Sequence, residues 1–136
     1  MILSLRAGSK AYINGAVVKV DRRVNLHLLN DVSFLLDQHV LQLDDAKTPL
    51  RQVYFAVQAA LIDPAQAASA QQMAGSILLR VMRAVATPAI AMELPGVARQ
   101  IEQGRYFDAM KRLRALFPAE DELLAAHAEP AKENVA

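Results

Sequence analysis

Cysteine and tryptophan are absent from the 136 residues, glycine occurs only 5 times, and aromatic residues make up 5% of the chain. Without cysteine there is no disulfide scaffold, no thiolate nucleophile and no cysteine-ligated zinc or iron–sulfur centre. The few glycines form no phosphate-cradling run, and the few aromatics are too sparse for a rich stacking platform. Nor is there an apolar stretch approaching the roughly 18 residues that a spanning helix needs. The run Met1–Leu5 meets Arg6 and then Gly8 too soon to be the apolar region of a signal peptide. A cytoplasmic chain with no membrane segment is expected.

What is present is uneven. Fifteen Lys and Arg against 14 Asp and Glu leave +1, so bulk charge names no partner. Residues 51–117, however, carry 8 basic and 4 acidic side chains (+4), whereas residues 118–136 carry 1 basic and 5 acidic (−4). Alanine occurs 3 times in residues 1–45 and 22 times in residues 46–136. The hydrophobic fraction of 54% excludes a wholly disordered chain, and the asymmetries divide it into modules of different character.

Residues 1–45 read as a β-hairpin-rich module of about five strands. No proline falls in the first 48 residues, as paired strands prefer. Asn14-Gly15 lies between Lys10–Ile13 and Ala16–Val20, the strongest short hairpin signal, because a type I′ turn needs positive φ at both central residues. A two-residue loop sets Ile13 opposite Ala16, Tyr12 opposite Val17, Ala11 opposite Val18 and Lys10 opposite Lys19. One face is then Ala11, Ile13, Ala16 and Val18, expected to face a core. The other presents Lys10, Tyr12, Val17 and Lys19, cations with an aromatic between them, which suits a phosphate backbone and an unstacked base. Arg22, Arg23 and Arg51 extend this candidate RNA-binding set, although ordinary solvated surface is the commoner fate of such residues and Asp21 dilutes the charge. Exposed strand edges also make a homodimer a reasonable expectation.

From residue 46 to 128 the period becomes 3.6, and an antiparallel helical bundle is expected. Together with the strands this makes the chain α+β. Thr48-Pro49, Asp63-Pro64 and Thr87-Pro88 each pair a capping residue with proline at the first helical position. The expected apolar stripes are Leu50/Val53/Tyr54/Val57/Leu61, then Met73/Ile77/Val81/Val85, then Phe107/Met110/Leu113/Leu116. Pro95-Gly96 is expected to break one helix and Pro118 to stop another. Residues 129–136 are expected to form a flexible acidic tail. Arg105, Lys111, Arg112 and Arg114 lie off the last stripe, a basic ridge suited to a partner or simply to solvent.

The catalytic inventory is thin. His27, His39 and His127 lack metal-ligand spacing, no serine sits in a nucleophile elbow, and Asp44-Asp45 reads as loop before a helix. The expectation is no enzyme, no catalytic residues, no metal and no cofactor.

Three blocks in register resemble one family. Ile13-Asn14-Gly15-Ala16-Val17-Val18 with Leu28–Leu35, then Thr48–Phe55 with Gln58 and Asp63-Pro64, then Gly104–Leu116 are similar to the FlbT family of flagellar biosynthesis regulators of alphaproteobacteria. The resemblance covers about residues 1–125. It implies a post-transcriptional regulator acting on the 5′ untranslated region of flagellin mRNA to limit its translation or lifetime. It also implies FlaF, a small helical protein of opposite effect, and flagellin itself as partners, and it brings no defined set of RNA-contacting residues. Met1–Gly15 is additionally similar in cadence to the carbon storage regulator, a strand-swapped dimer that binds RNA. Two functional expectations follow: an mRNA-binding repressor, or a protein-interaction module whose alanine-rich helices dock FlaF or flagellin and affect mRNA only indirectly.

Overall fold

Asn14 and Gly15 both adopt positive φ, 48° and 87°, the type I′ geometry whose twist matches two antiparallel strands. In the computed structural model, which describes the backbone of residues 1–135 and the side chains of residues 1–127, this turn joins β2 (Lys10–Ile13) to β3 (Ala16–Lys19). The pairing is the one expected, from Ile13 opposite Ala16 to Lys10 opposite Lys19. β5 (Phe34–Leu36) takes the other edge of β2, giving the order β3-β2-β5. β1 (Ile2–Leu5) and β4 (Val24–His27) form a separate two-stranded antiparallel ribbon. The tail expected at 129–136 lies outside the residues described in full.

The two faces of the hairpin depart from a simple in/out alternation. Ala11 is fully buried, yet Tyr12 on the opposite face also packs inward, against the helical core that includes Leu35. All four residues of β3 are exposed. Position explains both results: β2 and β5 lie against the helical core, through Tyr12 and Leu35, whereas all of β3, on the edge away from β5, is exposed.

Five helices follow. α1 (Pro49–Ile62) starts as expected, with the Thr48 hydroxyl accepting the Arg51 N–H at 3.3 Å, and buries Leu50, Val53, Tyr54, Val57 and Leu61. A 3₁₀ turn over Pro64–Gln66, capped by Asp63 on the Ala65 N–H at 3.1 Å, leads into α2 (Ala67–Ala84). Its buried face is Ala74, Leu78 and Val81, rotated from the expected stripe, and Met73 is 61% exposed. α2 packs chiefly on α1, and an alanine at the crossing lets the two backbones approach where a methionine would hold them apart. α3 (Pro88–Ala91) is a single turn. α4 (Leu94–Glu102) takes Pro95 into its first turn, so Pro95-Gly96 begins this helix rather than breaking one, since the missing N–H has no intrahelical partner there. It ends in a Schellman motif: Gly104, at φ 72°, donates to the Ile101 carbonyl at 3.1 Å and Arg105 to that of Gln100 at 2.8 Å.

α5 (Tyr106–Val135) does not stop at Pro118. Interior proline costs a helix about 3 kcal/mol, so contacts on both sides must offset it. Leu113 and Leu116 are buried before the proline, and Glu120 is buried just after it. The core thus formed runs from Leu35 on the sheet through Leu50, Val53 and Val57 to Leu78, Ile90, Val97, Met110 and Leu113.

Candidate nucleic-acid interface

Lys10 and Lys19 face each other across β2 and β3, both exposed. Arg22 and Arg23 follow, also exposed, with Arg22 in a loose 3.7 Å pair with Asp21. Tyr12 does not complete a stacking surface between the lysines, because its ring is half-buried against the helical core.

Arg51 is engaged elsewhere. Its guanidinium donates to Asp121 at 2.8 and 3.1 Å and to Glu120 at 3.3 Å, and it lies 4.4 Å above the Phe117 ring. The hydrogen bond to Asp121 raises the Arg51 pKa and, from the other side, lowers that of Asp121. A phosphate would have to displace two carboxylates to reach this side chain.

Arg105, just before α5, and Lys111, Arg112 and Arg114 within it do not form one ridge. Arg105 bonds Asp108 through Nε at 2.9 Å and Nη2 at 2.7 Å. Arg112 turns toward α4, donating to Glu93 at 2.7 Å and to Gln100 at 3.2 Å. It also fills the space beside Gly96, where a Cβ would stand 2.9 Å from its Nη1. Arg114 points toward α1, donating to the Tyr54 hydroxyl at 3.0 Å. Lys111 is exposed. The three arginines each turn to a different acceptor, Asp108, Glu93 with Gln100, and Tyr54, which accounts for this scatter.

Periodicity gave no sign of the polar network that ties the strand module to the helices. The buried Gln58 amide accepts the Leu41 N–H at 2.7 Å and donates to the Leu41 carbonyl at 2.9 Å. The Tyr54 hydroxyl donates to the His39 carbonyl. Burial raises the Tyr54 pKa against the opposing pull of Arg114, while burial first and the Arg114 charge second lower that of His39. A cleft of about 790 Å³ lies between the Leu28–Phe34 segment and Gly104–Asp108. Its floor includes Phe34 and Phe107, whose ring centroids are 4.7 Å apart. Among the described residues no cluster of His, Asp and Glu could hold a metal ion, and no helix is long and apolar enough to cross a membrane.

The blocks at Leu28–Leu35 and Gly104–Leu116 are therefore neighbours in space across this cleft, and the family model described as "Flagellar protein FlbT" matches residues 1–124. The chain belongs to the FlbT family. It is 46% identical over 124 residues to the "Probable flagellum biosynthesis repressor protein FlbT" of Chelativorans sp., covering 91% of this chain and 86% of that protein. The protein of the same description from Allorhizobium ampelinum is 44% identical over 122 residues, covering 90% and 82%. That from Brucella ovis is 46% identical over 124 residues, covering 91% and 82%. No solved structure matches this FlbT-family chain.

Proposed function

We propose that this chain is a regulator of flagellum biosynthesis that binds the 5′ untranslated region of flagellin mRNA and represses its translation or stability. Membership of a family whose relatives are described as flagellum biosynthesis repressors carries the reading. Lys10, Lys19, Arg22 and Arg23, exposed together around one hairpin, supply the phosphate contacts that single-stranded RNA binding needs. Arg51 is left out of that set because its guanidinium already serves Glu120 and Asp121.

A gel shift on the flagellin leader over a salt series tests this. Each phosphate contact adds about 0.7 to the logarithmic salt slope for single strands, so reversing all four hairpin charges should flatten the slope by about 3. Unchanged binding by that variant removes the hairpin from the interface, and no binding by the unmodified chain removes the direct RNA role.

One observation favours a second reading, a protein-interaction module for a FlaF-type partner or flagellin. Leu43 (71% exposed) and Met73 (61% exposed) rim an apolar groove of about 480 Å³ between α1 and α2, with Phe55 and Ile77 in its walls. Titration calorimetry with purified FlaF, and with Met73→Glu as the groove variant, separates the two readings.

A further inference from the structure

Among the described residues β3 is the one strand of the five in which every residue is exposed. Val17 is 61% and Val18 37% exposed, on opposite faces of the same edge. The ladder also fixes which backbone groups remain open. The Gly8 N–H donates to the Val20 carbonyl at 2.7 Å, and the Val20 N–H to that of Ser9 at 3.3 Å, so Val20 turns its backbone toward the β2 side. By the strand alternation Ala16 and Val18 do the same. Val17 and Lys19 therefore direct their N–H and C=O groups outward. Proteins blunt such edges with proline, bulges, charge or a covering segment, and β3 has only the single charge of Lys19.

We propose that this edge pairs with the β3 edge of a second copy of the chain, antiparallel about a two-fold axis at Val18, to make one six-stranded sheet. Self-complementarity selects the occupant and the register. With Val18 opposite its own copy, Val17 of each chain faces Lys19 of the other. The four outward N–H and C=O pairs then satisfy one another, and both exposed valines gain neighbours, while no lysine stands directly across from a lysine. Pairing centred on Lys19 would set the two ammonium groups opposite each other, which is unfavourable. The nearby charges are Lys10, Lys19, Arg22, Arg23 and Asp21, so each copy brings net positive charge to the seam. Association is thus expected to be weak and to tighten as salt screens that repulsion. The inference is independent of the RNA reading, since it concerns only the open backbone groups.

Sedimentation velocity on the full chain between about 10 μM and about 1 mM should show the mass rising from 14.9 kDa toward twice that value, more steeply in high salt than in low. Val17→Pro removes only an outward N–H and should remain monomeric with unchanged circular dichroism. Val17→Lys keeps the backbone donor but sets lysine opposite lysine, and should weaken dimerisation about tenfold, or about 1.4 kcal/mol. The double variant Val17→Lys/Lys19→Glu should restore it. If Val17→Pro disturbs the fold, the lysine variant and its rescue decide. A chain that stays monomeric throughout, even one that captures an unrelated extended peptide, overturns the proposal. So does a Val17→Pro chain that folds and dimerises normally, or a double variant that fails to recover.

Discussion

The carboxylate of Glu120 accepts the backbone N–H of Leu50 at 2.8 Å. Leu50 lies in the first turn of α1, where N–H groups lack intrahelical partners, and Glu120 arrives from α5. A side chain from the far end of the chain thus caps the first long helix. Its other oxygen receives Arg51 at 3.3 Å, so the acid is paired and hydrogen-bonded, as a carboxylate that is only 4% exposed must be.

Replacing Glu120 with alanine should therefore destabilise the chain by about 2–3 kcal/mol, because a buried donor loses its acceptor and a half-buried arginine loses one of its carboxylates. Glu120→Gln keeps an acceptor for Leu50 and should cost less. Urea unfolding midpoints at neutral pH measure both. Equal, near-zero losses would mean that water replaces the acid and that the capping role is unimportant.

Pro118 offers the opposite sign. It leaves the Arg114 carbonyl without its usual partner in an otherwise continuous α5. Pro118→Ala should stabilise the fold by about 1–3 kcal/mol, less than the full interior penalty because the unfolded chain regains freedom. A loss of stability instead would show that the proline helps to bring Glu120 to Leu50.

The orientation of α2 yields a paired test. Leu78 is 1% exposed and Met73 61%, so Leu78→Ala should cost about 2–4 kcal/mol and Met73→Ala under about 0.5 kcal/mol. Reversed costs would restore the stripe through Met73 and Ile77. The same pair reports on function, since Met73 rims the groove offered to a helical partner.

These cases show which features local pattern carries and which it does not. The Asn14-Gly15 turn, its register, the Thr48 and Asp63 caps and the Gly104 terminus were legible because each is decided within a few residues. The face of α2 was not, because in an alanine-rich helix several stripes are equally apolar and the partner's shape chooses among them. Pro118 misled for a related reason: its local cost is real, but Glu120 and Leu116 on either side are held by residues distant in sequence. Among the candidate site residues, Lys10 and Lys19 could be placed on one face from hairpin register, and Arg22 and Arg23 in the turn that follows it. The inward turn of Tyr12 depends on the helical core it packs against, and the engagement of Arg51, Arg112 and Arg114 on acceptors that no spacing rule links to them.

His39 makes the last prediction, a pH dependence with a defined sign. Its carbonyl receives the Tyr54 hydroxyl, whose oxygen in turn accepts Arg114. Burial first, and the Arg114 charge second, hold the imidazole pKa below its ordinary value. The unfolded chain, with a histidine pKa of about 6.5, then binds this proton at a higher pH than the folded chain does. Stability from this group is therefore complete above about pH 7 and falls as pH drops through 6.5 toward the lower folded value. Asp121, whose pKa is lowered by Arg51, acts only in more acid solution, below about pH 4. Urea midpoints at several pH values from neutral down to about 5 should fall more for the unmodified chain than for His39→Gln, which cannot take up the proton. Arg114→Gln, lacking the second cause of the shift, should lie between them. Parallel lines for the unmodified chain and His39→Gln would mean that the imidazole is as well solvated folded as unfolded, and that the Tyr54–Arg114 arrangement leaves it untouched.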